Sequence, residues 1–222
     1  LVGRGSYEDP VEGCACLTTR MRLRLTSRLN LLQLQAALDR LGATVEATTE
    51  RDLMLLRVQV PFKKVADCLR FLAELFTSPS FPASEVAKEK TSQKLEYEKT
   101  RQDPRLASIS DAWEATFPKN PLAHPETGYP QTIEKLTPKI LRQFDIHTRE
   151  KAPLVIGIVA PQPESELIHY ASSTFEKIKI TPYVKRFKLG PNQDFYVLSR
   201  PLKVKQTTFS IGIVTPGVSS AE

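Results

Sequence analysis

The side chains in this sequence that are best suited to bind a metal or to take part in catalysis are a cysteine pair and a series of carboxylates. Cys14 and Cys16 stand one residue apart near the start, and Glu85, Glu89 and Glu96 recur later at near-helical intervals. A tetrahedral zinc site needs three or four Cys, His or carboxylate ligands. The cysteine pair has no second pair and no histidine nearby. By itself it therefore predicts buried structural thiols rather than a metal or redox centre.

The remaining residue types identify no catalytic constellation. His124, His147 and His169 are too scattered for zinc-type spacing. His147 could serve as a base, but a single His near the end of a predicted helix is more often structural. The sequence contains no nucleophile-elbow, Walker or dinucleotide-binding glycine motif. We therefore expect no catalytic residue and no cofactor from the motifs alone.

Composition places the chain among ordinary globular proteins. Of its 222 residues, 41% are hydrophobic and 25% are charged. No run approaches the roughly 18 to 20 consecutive apolar residues of a membrane-spanning helix. The net charge is +6, but basic residues alternate with acidic ones, as in 88–90 and 96–99. Because the positive charge does not cluster, we do not expect nucleic-acid binding.

The first half of the sequence predicts a helix, a β-hairpin and further helices. Leucines at helical spacing end at Gly42, a residue suited to the left-handed end of a helix. Strands at 44–48 and 53–60 follow, joined by a polar turn at 49–52. Four helices are expected next. The first, at 63–76, buries Cys68, and the second, at 84–101, has Ser84 as its N-cap. The third starts at Pro104 and holds Trp113 in the core, and the fourth is capped by Thr137.

The second half predicts one more strand and helix, and then a change of unit. Residues 154–159 form a continuous apolar run, typical of a strand that is buried on both faces. A helix around residues 167–175 completes an α+β domain at 1–182. A Lys-, Pro- and Gly-rich linker is expected at 183–193. A second unit at 194–222, with strands at 195–198 and 207–214, is too short to close its own core, so a continuation is expected.

Several segments, taken in order, resemble the pitrilysin and insulinase-like metallopeptidase superfamily, in its branch of mitochondrial processing peptidases and cytochrome bc complex core proteins. The matching segments are Gly5 to Asp9, Gly13, Leu38 to Arg51, Phe81-Pro82 with the acidic helix that follows, and Asp103-Pro104. The resemblance implies a mixed β-sheet backed by helices, followed by the start of a second similar half.

Active members of this superfamily hold zinc with a His-x-x-Glu-His helix and a distant carboxylate. Counted from the glycine that opens this helix, the first His position is Cys16, the general base is Thr19 and the second His is Arg20. The resemblance places Glu96 at the third-ligand position and Glu89 at an auxiliary one. It therefore implies no catalytic residue and no metal. We expect Arg20 to pair with Glu96 or Glu89, which would tie two helices together.

The resemblance also implies a role. Residues 217–222 are most similar to second core proteins of ubiquinol:cytochrome c reductase. The implied function is a non-catalytic structural subunit of that respiratory complex, peripheral to the mitochondrial inner membrane on its matrix side. A homologous core or processing-peptidase subunit and other subunits of a respiratory complex would be its partners. The alternatives are the non-catalytic, presequence-binding subunit of a mitochondrial processing peptidase, or a scaffold in another mitochondrial complex.

Overall fold

The computed structural model of this chain describes residues 4–176, 178, 197–201, 205 and 207–214. In these residues the helices are α1 (Cys14–Arg22), α2 (Leu31–Leu41), α3 (Val65–Thr77), α4 (Ala83–Gln102), α5 (Pro104–Thr116), α6 (Pro130–Lys135), α7 (Pro138–Lys151) and α8 (Glu164–Phe175). The strands are β1 (Thr44–Thr49) and β2 (Met54–Gln59), and short 3-10 turns lie at Ser6–Glu8, Phe62–Lys64 and Pro121–Ala123. The α+β class predicted from the sequence is confirmed.

The β-hairpin forms where the alternating sequence predicts it. β1 and β2 are antiparallel, with Thr44 opposite Gln59 and Thr49 opposite Met54. The backbone N–H of Glu50 donates to the carbonyl of Leu53 at 2.9 Å, which closes the polar turn. Within the described residues the sheet consists of these two strands, so it is antiparallel rather than the mixed sheet that the resemblance implies.

α1 is the central element of the fold. Eight of its nine residues are buried, because α4, α7 and the hairpin all pack against it. The largest apolar cluster combines side chains of α1 with those of its neighbours; it contains Cys14, Ala15, Leu17, Met21, Met54, Phe76, Phe81, Val86, Leu136, Leu141, Phe144 and Ala152. Complete burial of a side chain such as Leu17 or Met21 contributes about 1.5 to 3 kcal/mol. α1 is thus fixed on several sides.

α3 joins two smaller apolar clusters and confirms the helix predicted at 63–76. Phe71 and Leu75 contact Leu34 of α2. Val65 and Leu69 contact Phe175 of α8. Side chains three and four residues apart point to the same side of a helix, so one helix can serve both contacts along its length.

The helix ends follow local sequence signals in most places. Gly42 ends α2 with φ of +61°, and the hydroxyl of Thr137 accepts the N–H of Ile140 at 3.3 Å at the start of α7; both predictions are confirmed. The prediction of Ser84 as an N-cap is wrong. α4 begins one residue earlier, because Pro82 occupies the cap position and its carbonyl accepts the N–H of Val86 at 2.9 Å. None of the helices that the structure describes combines the length and apolarity needed to cross a membrane.

In the part of the chain that the structure describes, the strand predicted at 154–159 is reduced to a single bridge residue, Leu154. Leu154, Ile158 and Ala160 contact the cluster between α3 and α8, whereas Val155 and Val159 point into solvent and Val159 is fully exposed. A strand is buried on both faces only where other elements cover both of them. In the described part of the chain neither strand of the sheet pairs with this segment, so the apolar run is only half covered.

The segment at 207–214, predicted as a strand, likewise has no strand assignment in the described part of the chain. It runs along α5, where Ser210 Oγ lies 2.8 Å from Ser108 Oγ. Nearby, Arg200 pairs with Asp111 at 3.0 Å and with Glu114 at 2.6 Å. The predicted linker at 183–193 and the start of the strand at 195–198 lie outside the described residues. The division into two units therefore stays a prediction.

Candidate functional site

The start of α1 is held by the loop that precedes it. Gly13 has φ of +91°, a left-handed conformation that side chains rarely adopt. The carboxylate of Asp9 accepts the backbone N–H of Gly13 at 2.8 Å and that of Ala15 at 2.7 Å. These bonds satisfy donors that have no partner within the helix. The direction of α1, and with it the placement of Cys16, Thr19 and Arg20, is set here.

Gln93 of α4 fixes the same point from the other side. Its side-chain amide donates to the carbonyl of Gly13 at 3.0 Å and to that of Thr127 at 2.6 Å. A Cβ atom on Gly13 would stand 2.6 Å from the Thr127 carbonyl oxygen. Gly13 is therefore required for the close approach of α1, α4 and the loop at 118–129.

The side chains at the first His position and at the base position are unsuited to catalysis. Cys16 is buried, and burial raises the pKa of its thiol to about 12, so the sulfur is neutral at physiological pH. Thr19 is buried as well, and its hydroxyl donates to the carbonyl of Ala15 at 2.9 Å. A threonine hydroxyl engaged in this way cannot take a proton from water as a carboxylate would.

Arg20 bridges α1 and α4. Its Nε donates to Glu89 Oε2 at 3.1 Å, and one of its terminal nitrogens donates to Glu96 Oε2. The two carboxylates lie seven residues apart on α4, so they share a face of that helix. The predicted pairing of Arg20 is confirmed, and the structure has both contacts rather than one.

A second arginine extends this contact. Arg24, two residues beyond the end of α1, places its Nε 2.9 Å from Glu89 Oε1 and a terminal nitrogen 3.7 Å from Glu85 Oε2. Each oxygen of Glu89 therefore meets a different guanidinium. The Glu89 side chain is 8% exposed, whereas that of Glu96 is 50% exposed. We call Arg20, Arg24, Glu85, Glu89 and Glu96 the arginine–glutamate ladder.

The zinc ion of active superfamily members does not fit these residues. At the Cys16 position a metal would meet a buried, protonated thiol and would have to displace its proton. A guanidinium donates hydrogen bonds and ligates no metal, and that of Arg20 already contacts both carboxylates. In the described residues no group of three His, Cys, Asp or Glu side chains converges on one point.

A cavity of about 440 Å³ opens beside the ladder. Arg20, Glu96 and Cys16 contribute one wall, the end of β1 a second, and α5 with Pro125–Thr127 the rest. The residues of α4 and α5 that line it are Glu96, Thr100, Leu106, Ile109, Ser110 and Trp113. The cavity is thus partly polar and partly apolar, and its charged side chains include both signs.

Arg51 lies at the centre of the part of this cavity that was not predicted from the sequence. Its guanidinium lies 3.8 Å from the centre of the Trp113 ring, donates from Nε to the carbonyl of Leu122 at 3.0 Å, and pairs with Glu126. The prediction that Trp113 lies in the core is wrong, because its ring forms part of the cavity wall and Ile109 beside it is exposed. Helical spacing shows which residues share a face, not what covers that face.

The three histidines are placed on separate elements. His124 Nε2 lies 3.1 Å from Glu12 Oε1 in the loop before α6. His147 is on α7, and His169 is on α8 next to Tyr170. None of them lines the cavity. The arrangement around Arg20 can therefore neutralise carboxylates and fix two helices, but it offers neither a metal-bound water nor a base for hydrolysis.

The sequence profile of insulinase (peptidase family M16) matches residues 1–128 of this chain. No curated protein matches it. Among solved structures, the chain is similar to the inactive domain of an M16 peptidase from Pseudomonas fluorescens, with a TM-score of 0.72 and 21% identity over 84% of this chain and 46% of that one.

Two further structures share the fold. A protease from Helicobacter pylori has a TM-score of 0.72 and 16% identity over 88% of this chain and 48% of its own. Pitrilysin has a TM-score of 0.69 and 22% identity over 86% of this chain and 21% of its own. The chain thus spans less than half the length of the solved structures it matches.

Proposed function

This chain belongs to the insulinase family of peptidases, peptidase family M16, and on that premise we propose that it is a non-catalytic member with a structural role. The observation that carries the proposal is the guanidinium of Arg20, which contacts both Glu89 and Glu96 at the position that the family resemblance assigns to the metal site. A fixed positive charge there repels a divalent cation.

Hydrolysis of a peptide by a zinc enzyme also needs a base that takes a proton from the attacking water. Thr19 stands at that position, and its hydroxyl donates to the backbone of α1. The solved structure of an inactive M16 domain has the same fold, which is compatible with a role that does not involve hydrolysis.

More specifically, we propose a core subunit of the mitochondrial ubiquinol:cytochrome c reductase, peripheral to the inner membrane on its matrix side. Support comes from the similarity of residues 217–222 and of the ordered motifs to the core proteins of that complex. A homologous subunit of the same fold would be its direct partner. Electron transfer would then belong to other subunits.

The second candidate is the non-catalytic subunit of a mitochondrial processing peptidase. The cavity favours it, because Glu50, Glu96 and Glu126 place three carboxylates along its lining. Carboxylates in a cleft attract a basic peptide segment, although Arg20 and Arg51 neutralise part of this charge.

Purification of the complex that contains this chain from membranes in mild detergent tests both proposals. Mass spectrometry of the co-purifying proteins is expected to find cytochrome and iron–sulfur subunits together with a homologous core protein. A soluble pair consisting of this chain and an active M16 peptidase would instead support the second candidate. Peptide hydrolysis by this chain alone after zinc is added would contradict the non-catalytic role.

A further inference from the structure

The helix α5 has two sides with different neighbours. On its cavity side, side chains recur every three or four residues; they are Leu106, Ile109, Ser110 and Trp113. A rotation of about 100° per residue places Ser108, Asp111 and Ala112 on the opposite side of the helix. One helix therefore separates the cavity from whatever lies against its outer side.

Little apolar packing fixes the position of α5. Of its thirteen residues, which the structure describes in full, only Ala107 is buried. Its first turn is held by the carboxylate of Asp103, which accepts the backbone N–H groups of Arg105 and Leu106 at 2.9 and 3.0 Å. An element with few buried side chains moves at a low cost in free energy. The polar contacts on the outer side of α5 therefore matter for where the helix lies.

Residues 207–214 lie on that outer side and contact it through small and polar side chains. Ser210 Oγ is 2.8 Å from Ser108 Oγ. A Cβ atom on Gly212 would stand 3.3 Å from the carbonyl oxygen of Ala112, so the two backbones approach closely. The side chains that alternate with these are exposed; they are Phe209, Ile211 and Ile213. Burial of apolar surface therefore contributes little to this contact.

Arg200 adds charge to the same contact. Its Nε lies 3.0 Å from Asp111 Oδ1, and a terminal nitrogen donates to Glu114 Oε2 at 2.6 Å. Asp111 also pairs with Arg101 of α4 at 2.8 Å, so its carboxylate joins α4, α5 and Arg200. The side chains of Arg200 and Glu114 are 42% and 40% exposed, so dissolved salt weakens their attraction. We call Arg200 and residues 207–214 the strap.

We propose that the strap is a reversible clamp that holds α5 in place and thereby controls the access of solutes to the Trp113 side of the cavity. With Arg200 paired, α5 is held in place, and the guanidinium of Arg51 covers the Trp113 ring at 3.8 Å. Loss of these pairs lets α5 move away and exposes the ring. The proposal goes beyond the structural role above, because it concerns the cavity of this chain and is independent of its partners.

Trp113 reports on the cavity, because it is the single tryptophan of the chain. Acrylamide is a neutral quencher, so it measures how easily a solute reaches the ring. We expect Arg200→Ala to raise the quenching constant at least about two-fold. Sodium chloride at about 0.5 M should raise the constant of the native protein in the same direction. Because the ion pairs are partly exposed, the melting temperature of Arg200→Ala should fall by no more than about 4 °C.

A disulfide between the strap and α5 separates this effect from general destabilisation. Ser108→Cys combined with Ser210→Cys places two thiols where the hydroxyl oxygens are 2.8 Å apart. The three cysteines of the native chain are buried, so oxidation is expected to join the new pair. In the oxidised double variant, neither Arg200→Ala nor salt should raise the quenching constant of Trp113. Reduction of the disulfide should restore both responses.

Arg70→Ala is the matched control. Arg70 pairs with Asp67 on the surface of α3, and their side chains are 65% and 44% exposed. Neither residue lines the cavity. Removal of this exposed pair should leave the quenching constant of Trp113 at its native value, with or without salt.

Three results would overturn the proposal: a native quenching constant in Arg200→Ala, an equal rise in the oxidised double variant, or failure of the two new cysteines to form a disulfide. Should Arg200→Ala fail to fold, Glu114→Gln replaces it, because it removes the charge of one of the two partners of Arg200. A raised quenching constant in Glu114→Gln that the disulfide suppresses supports the clamp, and a native constant overturns it.

Discussion

The guanidinium of Arg20 meets Glu89 and Glu96 from one side of α4, while Arg24 meets the second oxygen of Glu89. On the same helix as Arg20, the thiol of Cys16 is buried and neutral, and the hydroxyl of Thr19 bonds to its own helix backbone. Each position that would serve catalysis in an active relative therefore has a packing or pairing partner here. At the scale of single residues, the site stabilises the fold.

The buried thiol of Cys16 predicts a specific dependence of stability on pH. The native state keeps the thiol proton up to a pKa of about 12, whereas the unfolded chain loses it near its ordinary pKa of about 8.5. The unfolded state then binds fewer protons, so the free energy of unfolding falls as the pH rises above about 8.5. The contribution of Cys16 is up to about 1.4 kcal/mol per pH unit.

Urea unfolding at pH 7, 8, 9 and 10 measures this contribution when native protein is compared with Cys16→Ser. The serine hydroxyl does not titrate in this range, so the two stabilities should converge as the pH rises. Between pH 7 and pH 8, where the thiol stays mostly protonated in both states, the difference between the two unfolding free energies should hardly change. Parallel curves from pH 7 to pH 10 would mean that Cys16 is not held as a neutral thiol.

Gly13 offers a second test at the residue scale. Gly13→Ala forces a side chain into a left-handed conformation and brings its Cβ 2.6 Å from the carbonyl oxygen of Thr127. We expect a loss of about 2 kcal/mol or more in unfolding free energy. Gly157→Ala is the control, because a Cβ there meets no atom within 4 Å. Similar losses in both variants would show that the close packing of Gly13 against Gln93 and Thr127 does not contribute to stability.

At the scale of elements, ion pairs join α1 to two neighbouring helices. The ladder joins it to α4, and Arg22 joins it to α7 through Asp145, with side chains only 3% and 2% exposed. Arg22 also donates to the backbone carbonyls of Leu75 and Phe76 at the end of α3, at 3.1 and 2.7 Å. One arginine thus satisfies a buried carboxylate and two carbonyls at a helix end.

Removal of Asp145 is therefore expected to destabilise the protein strongly. Asp145→Ala leaves the buried Arg22 guanidinium without its carboxylate partner, which costs about 3 to 5 kcal/mol. Chemical denaturation measures the loss. Asp67→Ala removes the exposed pairs with Arg70 and Lys64 and should change the stability by less than about 1 kcal/mol. If both variants lose equally little, α1 and α7 do not depend on this pair.

The elements that the sequence predicted best are those with local signals. The ends of α2 and α7 follow from Gly42 and Thr137, because capping is decided by a few adjacent residues. The prediction of a strand at 154–159 was wrong for most of its length, because an apolar run does not indicate which other elements will cover its two faces. The same limit applies to Trp113, whose helical spacing indicated burial although its ring lines a cavity.

The residues of the arginine–glutamate ladder that could be predicted are those that lie in the motifs of the family resemblance. The spacing from Gly13 identified Arg20, and the seven-residue interval on α4 placed Glu89 and Glu96 on one face. Arg51 and Glu126 were missed because they come together through the fold, 75 positions apart in the sequence. The cation–π contact between Arg51 and Trp113 depends on the same approach.

At the scale of the whole molecule, apolar side chains outside the helices remain exposed. The chain spans less than half the length of the three solved structures compared above. Phe209, Ile211 and Ile213 alternate along one side of the segment that runs over α5 and are 86%, 87% and 78% exposed. A contiguous apolar surface of this kind is typical of regions that another part of a protein or assembly covers.

We therefore expect this chain on its own to bind an apolar fluorescent dye. Serine substitutions at Phe209, Ile211 and Ile213 together should lower the fluorescence at saturating dye by at least about half, because they remove three large apolar side chains that are each more than 75% exposed. Leu32→Ser, which removes one isolated exposed leucine on α2, should change it little. Equal fluorescence for native protein and the triple variant would place the exposed apolar surface elsewhere.

The central claim is that Arg20 and its carboxylates replace a metal site. Elemental analysis of the purified chain tests it most directly, after incubation with excess zinc and removal of unbound metal. We predict far less than one zinc per chain, because two carboxylates already neutralised by Arg20 and one neutral thiol do not bind the ion. One zinc bound per chain would contradict this account.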